Sequence, residues 1–328
     1  MITNFLRLIR IQNLIIVAFT QYMIRYFVIL PLLKDSGFES QFSEINFLLL
    51  VLSTVLLTAA GYVINDYFDT KTDMINRPKK VVIGVHFHRR FAIILHVVLN
   101  TIGIILGFYV SYKIQMPRLV FIFIFITALL WFYSSYYKRK FLVGNLIVAV
   151  LTALVPLMPV LYEIPPLNRF YVETLIIMKT NFMFIFVWVA GFSIFAFLTT
   201  FTREIIKDVE DFEGDNEFGR KTLPVVLGIK KTKIIIISLI SSTIILLTIV
   251  YFRFLFYIKY STNDFNGIDL ISLIYIFIFI ILPYLILIYK IFKSKNTIQW
   301  HTNSLIAKII MLLGILYTLV IFYNLSSI

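Results

Sequence analysis

The sequence predicts an all-α polytopic membrane protein of about nine transmembrane helices around a central cavity, on three observations. Of its 328 residues, 60% are hydrophobic and only 14% are charged, with a mean hydropathy of +0.92, far more apolar surface than a soluble core needs. The charges divide the chain into nine apolar stretches, each of roughly the 20 residues that cross a bilayer core of about 30 Å. The interiors of those stretches are nearly free of ionisable groups, Arg25 and His96 being the exceptions.

In chain order, the opening segment "MITNFLRLIR" lacks the n-region, short apolar core and small-residue cleavage site of a signal peptide, and reads as a retained amphipathic lead-in. The nine helices follow over 11–33, 45–66, 91–112, 118–137, 141–162, 180–203, 233–252, 268–289 and 305–326. The longest polar connections are 67–90 and 204–232, and with no low-complexity linker the chain reads as one membrane-embedded domain, 1–328. Zero cysteines exclude disulfides, thiolate metal ligands and a cysteine nucleophile. His86, His88, His96 and His301 show no paired metal spacing and read as structural or interfacial, while Asn303 and Lys308 remain without a role.

With the N-terminus inside, the inner segments and adjoining helix ends hold about 21 of the 30 Lys and Arg. The net charge of +13 is therefore mostly positive-inside bias in a plasma (inner) membrane protein, and no nucleic-acid partner is expected.

Two polar stretches stand out. "NDYFDTKTD" places Asp66, Asp69 and Asp73 after helix 2, and "KDVEDFEGD" repeats the spacing with Asp208, Asp211 and Asp215 after helix 6. Four helices separate them, and an even number of crossings returns the chain to one face, here the cytoplasmic one. If each helix continues for two more turns, positions i, i+3 and i+7 form a carboxylate stripe on one side of it. Clustered carboxylates repel one another and need a compensating cation. Oxygen-only ligands select Mg²⁺ or Ca²⁺, the spacing is not that of an EF-hand, and Mg²⁺ suits carboxylates that bridge to a substrate's phosphates. Basic residues supply the other half of a phosphate site: Arg77 after the first motif, Lys138 and Arg139 at the end of helix 4, and Arg203 and Lys207 before the second motif.

On these residues the chain resembles the UbiA family of intramembrane prenyltransferases. The first motif, with Asn65, matches the family's N-D-x-x-D-x-x-x-D, and the second matches its Asp-rich partner. "IRIQN" with Arg10 and Asn13, "YSSYYKRKFLVGN" and "GRKTLPVVLG" extend the similarity over most of the chain. The resemblance implies Mg²⁺-dependent transfer of an isoprenyl group from its diphosphate to a lipophilic acceptor. The six aspartates would hold Mg²⁺ on the diphosphate, with Asp66, Asp69, Asp208, Asp211 and Lys138 catalytic. Asn13, Asn65, Arg77, Tyr133, Lys138, Arg139, Arg203 and Lys207 would bind substrate. Tyr133, Tyr136 and Tyr137 surround Lys138 at spacings that depart from the family's tyrosine, leaving open which one faces the allylic carbon. "REIIKDVEDFEGD" and "KRKFLVGNLIVAVLTA" are most similar to the branch that alkylates geranylgeranylglyceryl phosphate with a geranylgeranyl group, the alternative acceptor being an aromatic quinone precursor of the 4-hydroxybenzoate or dihydroxynaphthoate type. A divalent-cation transporter would need acids near the midplane, and a lipid-binding scaffold would leave the matched motifs as coincidence.

Overall fold

A computed structural model of the chain describes residues 1–76, 78, 81–255 and 269–326. These residues form helices and loops without a strand. Nine of the helices are long and apolar enough to cross a membrane: α1 (Ile11–Asp35), α2 (Glu44–Asn76), α3 (Arg89–Lys113), α4 (Pro117–Ser135), α5 (Val143–Phe170), α6 (Met183–Glu210), α7 (Ile229–Arg253), α8 (Leu270–Lys293) and α9 (Thr297–Ser326). Each contains most of one predicted stretch. A short helix, Ile2–Leu8, precedes α1.

Several helices outrun the apolar stretch that announced them. Hydropathy stops at the edge of the bilayer core, whereas the i→i−4 hydrogen-bond ladder continues as long as the side chains tolerate it. Thus α2 runs on to Asn76, with the Thr70 hydroxyl bonding back to the carbonyls of Asp66 and Tyr67 (both 3.1 Å). Likewise α5 reaches Phe170 despite Pro156, Pro159, Pro165 and Pro166, which membrane helices accommodate when neighbours satisfy the freed carbonyls. That extension corrects the expectation that Arg25 and His96 are the only interior ionisable groups. Glu163 lies within α5, wholly buried, 3.4 Å from Arg25 Nε, and Arg25 also meets Glu44 at 3.1 Å. These charges belong to the end of the bundle where α2 begins, roughly 50 Å from where it ends. His96 is satisfied in place, with Nδ1 2.9 Å from the Ala60 carbonyl and Nε2 3.0 Å from Asn100 Nδ2.

α2 packs against α3 and α4, α5 against α6, and α6 in turn against α7 and α9; α1 closes the bundle between α2, α5 and α9. At the end where α2 stops, Leu8 of the N-terminal helix is buried with Val63, Val82, Ile83, Phe87 and Ala92. The chain start and the loop after the first aspartate motif therefore cover the same end of the bundle.

Candidate active site

The first motif sits on the last turns of α2. Asp69 is buried, and its carboxylate accepts from two cations of distant origin: Lys138, in the short turn between α4 and α5, and Arg220 Nη2 at 2.7 Å. Lys138 Nζ also donates to Asn65 Oδ1 at 3.1 Å. One turn earlier and more exposed, Asp66 accepts from Arg10 Nη2 at 2.7 Å, and the Arg10 guanidinium lies 4.7 Å over the Tyr62 ring. Gly144 permits the turn that delivers Lys138, because a Cβ there would come within 2.9 Å of the Lys138 backbone.

The second motif departs from the expected continuous stripe. α6 ends at Glu210, Asp211 is the first residue beyond it, and Asp215 belongs to a separate short helix, Phe212–Glu217. The Asn76 side chain holds this break. Its Oδ1 accepts from the Gly214 amide at 3.0 Å and its Nδ2 donates to the Asp211 carbonyl at 3.3 Å. A Cβ at 214 would stand 2.4 Å from Asn76 Oδ1, so any residue other than glycine must displace the Asn76 side chain. The end of the first motif's helix is thus clamped into the second motif. Arg220 completes the link by bonding Thr72 at 2.8 Å and Asp215 at 3.4 Å, as well as Asp69.

Between the motifs lies a polar cavity lined by Tyr133, Lys138, Asn145, Glu204, Lys207, Asp208, Asp211, Asp215 and Arg220, with about 40 Å³ open to water-sized particles, room for a few waters. Asp208 accepts from the neutral amide of Asn145 at 2.7 Å. Counting Asp69, five carboxylates and three cations meet here among the described residues, so acids predominate in the lining. Burial alone would lower the Lys138 ammonium, but the Asp69 carboxylate, with a smaller effect of Tyr133, lifts it well above the usual lysine range. Arg220 is likewise raised, burial being outweighed by Asp69 and Asp215. Burial pushes the Asp215 carboxyl up to about 6, Arg220 restraining the rise and Asp211 adding to it. Arg10 is raised against its own burial by Asp66.

Of the residues singled out from sequence, Asn65, Asp69, Lys138, Tyr133, Lys207, Asp208, Asp211 and Asp215 come together around this cavity. Among the three tyrosines, Tyr133 faces it, its ring centroid 6.0 Å from Lys138 Nζ, while Tyr136 is exposed. Asp66 is joined to Arg10 on the flank, and Asp73 continues the α2 face. Arg139 is exposed, and it contributes its carbonyl, which accepts from the Lys221 amide at 3.1 Å. Arg203 and Lys207 both bond Glu204, at 3.1 and 3.0 Å, and Asn13 accepts from Lys308 at 2.8 Å. Arg77, with Lys79 and Lys80, lies outside the described residues. Three cavity residues were not singled out from sequence. Glu204 had a readable signal, standing one turn before Asp208 on the same helix face. Arg220 and Asn145 lay within quoted stretches, but their reach across the bundle has no local signature.

Among the described residues, no three acidic or histidine side chains are gathered tightly enough to hold an ion as the side chains stand. The acidic lining nevertheless offers oxygen donors only, the ligand type that a hard cation takes.

The UbiA prenyltransferase family model matches residues 36–297. A digeranylgeranylglyceryl phosphate synthase from Methanosphaera stadtmanae is 34% identical over 209 residues, covering 64% of this chain and 68% of that protein. A solved structure concerned with digeranylgeranylglyceryl phosphate synthase superposes with a TM-score of 0.59 at 24% identity, covering 97% of this chain and 98% of its own. A UbiA homologue from Archaeoglobus fulgidus bound to DMAPP and Mg²⁺ gives a TM-score of 0.54 at 16% identity, over 97% and 99%. At these identities the two structures establish the shared fold.

Proposed function

The chain belongs to the UbiA prenyltransferase family, and from that premise we propose that it transfers a geranylgeranyl group from its diphosphate to geranylgeranylglyceryl phosphate in a Mg²⁺-dependent reaction. The observation that carries the reading is the convergence of both aspartate motifs, Lys138 and Arg220 on one polar cavity at the end of an otherwise apolar bundle. The named activity of the Methanosphaera relative supports the acceptor.

Asp66, Asp69, Asp73, Asp208, Asp211 and Asp215 would hold the metal. Bound there, Mg²⁺ supplies electrostatic stabilisation of the negative charge that develops on the leaving diphosphate. Lys138 and Arg220 offer donors to the diphosphate oxygens, with Asn65 fixing the Lys138 ammonium. When the allylic C–O bond breaks, the electron pair leaves with the diphosphate and the carbon becomes electron-deficient. Tyr133, which lines the cavity beside Lys138, would offer a ring face to that carbon, an attraction of about 0.5–2 kcal/mol. The lipid-embedded helices exclude the water that would quench it. The acceptor hydroxyl oxygen then forms the new C–O bond and gives up its proton to an oxygen of the departed diphosphate. Little activation of the hydroxyl is needed at that stage, so no His–acid base pair is required. The motifs, Lys138 and the N-terminal segment belong on the cytoplasmic side, because the basic residues concentrate there.

The test uses purified protein in lipid nanodiscs with labelled geranylgeranyl diphosphate. Geranylgeranylglyceryl phosphate should be alkylated with Mg²⁺ and not with excess EDTA. Preferential prenylation of 4-hydroxybenzoate or dihydroxynaphthoate would overturn the acceptor, and turnover undiminished by EDTA would overturn the metal.

A further inference from the structure

Lys308 lies three residues into the apolar stretch of α9 that begins at 305, about 5 Å past its polar edge. A lysine so placed can snorkel to water, so the direction its ammonium takes instead is informative. Its ammonium donates to the neutral Asn13 side chain at 2.8 Å, and among the described residues no carboxylate lies within ion-pair distance. Its charged neighbour is another cation, Arg203 on α6, close enough to repel it. Arg203 has one carboxylate oxygen, Glu204 Oε1 at 3.1 Å, and Glu204 is also engaged by Lys207. The Arg203 Nε is buried without an acceptor.

Glu204 thus serves both Arg203 and Lys207, and among the described residues neither Arg203 nor Lys308 has another carboxylate within ion-pair distance. A lysine that merely snorkels takes its ammonium toward water and away from like charge. Lys308 instead turns its ammonium to Asn13 on α1, within electrostatic reach of Arg203. The cluster adjoins the first motif: Asn13 follows by one turn Arg10, the partner of Asp66, and Tyr62 is within electrostatic reach of Arg10, Arg203 and Glu204. It is drawn from α1, α2, α6 and α9, whereas Lys138 and Arg220 approach Asp69 from the α4–α5 turn and the segment after α6. Once Glu204 is set against Lys207, Arg203 and Lys308 remain as an excess of two positive charges. That matches a phosphate monoester, which carries about −1.5 to −2 at neutral pH.

We propose that Lys308, with Arg203 and Asn13, forms a second anion subsite that binds the phosphate of the acceptor, leaving Lys138 and Arg220 to the donor diphosphate. The inference rests on the proposed reaction and names the part of the chain that selects a phosphorylated acceptor. Held there, the phosphate anchors the acceptor on the α1–α9 side of the first motif, so that its hydroxyl is presented toward the donor.

The experiment compares wild type, Lys308→Gln and Lys308→Arg in nanodiscs, with geranylgeranylglyceryl phosphate and its uncharged dephospho analogue as acceptors, both followed with labelled donor. Wild type should prefer the phosphorylated acceptor. In Lys308→Gln that preference, read as the ratio of kcat/KM for the two acceptors, should fall by about tenfold to a hundredfold, the effect of one lost charge-assisted contact. The donor KM should move by less than about twofold, and Lys308→Arg should keep most of the preference. Lys308→Met, suited to a lipid-embedded helix whatever the site does, carries the same test should Lys308→Gln not assemble. An unchanged ratio in an active enzyme, or a matching rise in the donor KM, overturns the subsite alone. Failure of wild type to use the phosphorylated acceptor at all overturns the proposed reaction and the subsite with it.

Discussion

Arg220→Gln removes a side chain that bonds both aspartate motifs. Its guanidinium donates to Asp69 at 2.7 Å, Thr72 at 2.8 Å and Asp215 at 3.4 Å, and all four residues are buried. Two contacts to carboxylates and one to a hydroxyl are lost, the Asp215 contact being long, which sums to roughly 3–5 kcal/mol of folding stability. Part of the loss depends on pH. The Asp215 carboxyl titrates at about 6 in the folded protein against 3.8 for an unperturbed group. Between those values the folded state binds more protons than the unfolded one, so this group lowers stability as pH rises through the window. Without Arg220 the folded value moves higher still, and the decline continues above pH 6. The difference between variant and wild type should therefore widen from about pH 5.5 to about pH 7.5, by at most about 1.4 kcal/mol per pH unit. The assay is unfolding in mixed micelles of rising SDS fraction, in EDTA so that no metal replaces the lost charge. Wild-type stability in Arg220→Gln, or a difference that narrows as pH rises, would refute the reasoning.

Three further outcomes follow from the same geometry. Asp66→Asn and Asp208→Asn should each lower turnover on the order of a thousandfold without unfolding the protein; since Asp208 has the neutral Asn145 as its hydrogen-bond partner, Asp208→Asn should unfold no earlier than wild type in metal-free buffer, and an early unfolding would count against that view of Asp208. Gly214→Ala forces Asn76 out of the second motif and should lose two hydrogen bonds, about 1–3 kcal/mol, with up to about a hundredfold of activity from misplacement; adding Asn76→Gly should restore packing but not the clamp, so full recovery of rate would show that the clamp is idle. Single cysteines introduced at Thr70 and Glu213 in this cysteine-free chain should react with a membrane-impermeant reagent from the cytoplasmic side only, and labelling of the two from opposite sides would separate the motifs.

How much of this was legible in the chain differs between the fold and the site. The all-α class, the nine spans and their order follow from hydropathy and charge placement, because each membrane helix must satisfy its backbone hydrogen bonds within itself and so announces itself locally. The repeated aspartate spacing was local too, and counting crossings sufficed to bring the motifs to one end. What sequence could not supply was anything that depends on side chains meeting across the bundle. The break of α6 at Asp211 comes from Asn76 inserting beside Gly214, 138 positions apart, and no pattern within either segment encodes it. Arg220 and Asp69 meet over 151 positions, and Glu163 became an interior charge only when α5 carried through four prolines. Lys308 looked unremarkable in an apolar run; its setting beside Asn13 and Arg203 exists only once α1, α6 and α9 are packed. Secondary structure and membrane insertion are governed by interactions a few residues long, whereas charge balance in the cavity depends on separations in space, which only the folded bundle sets.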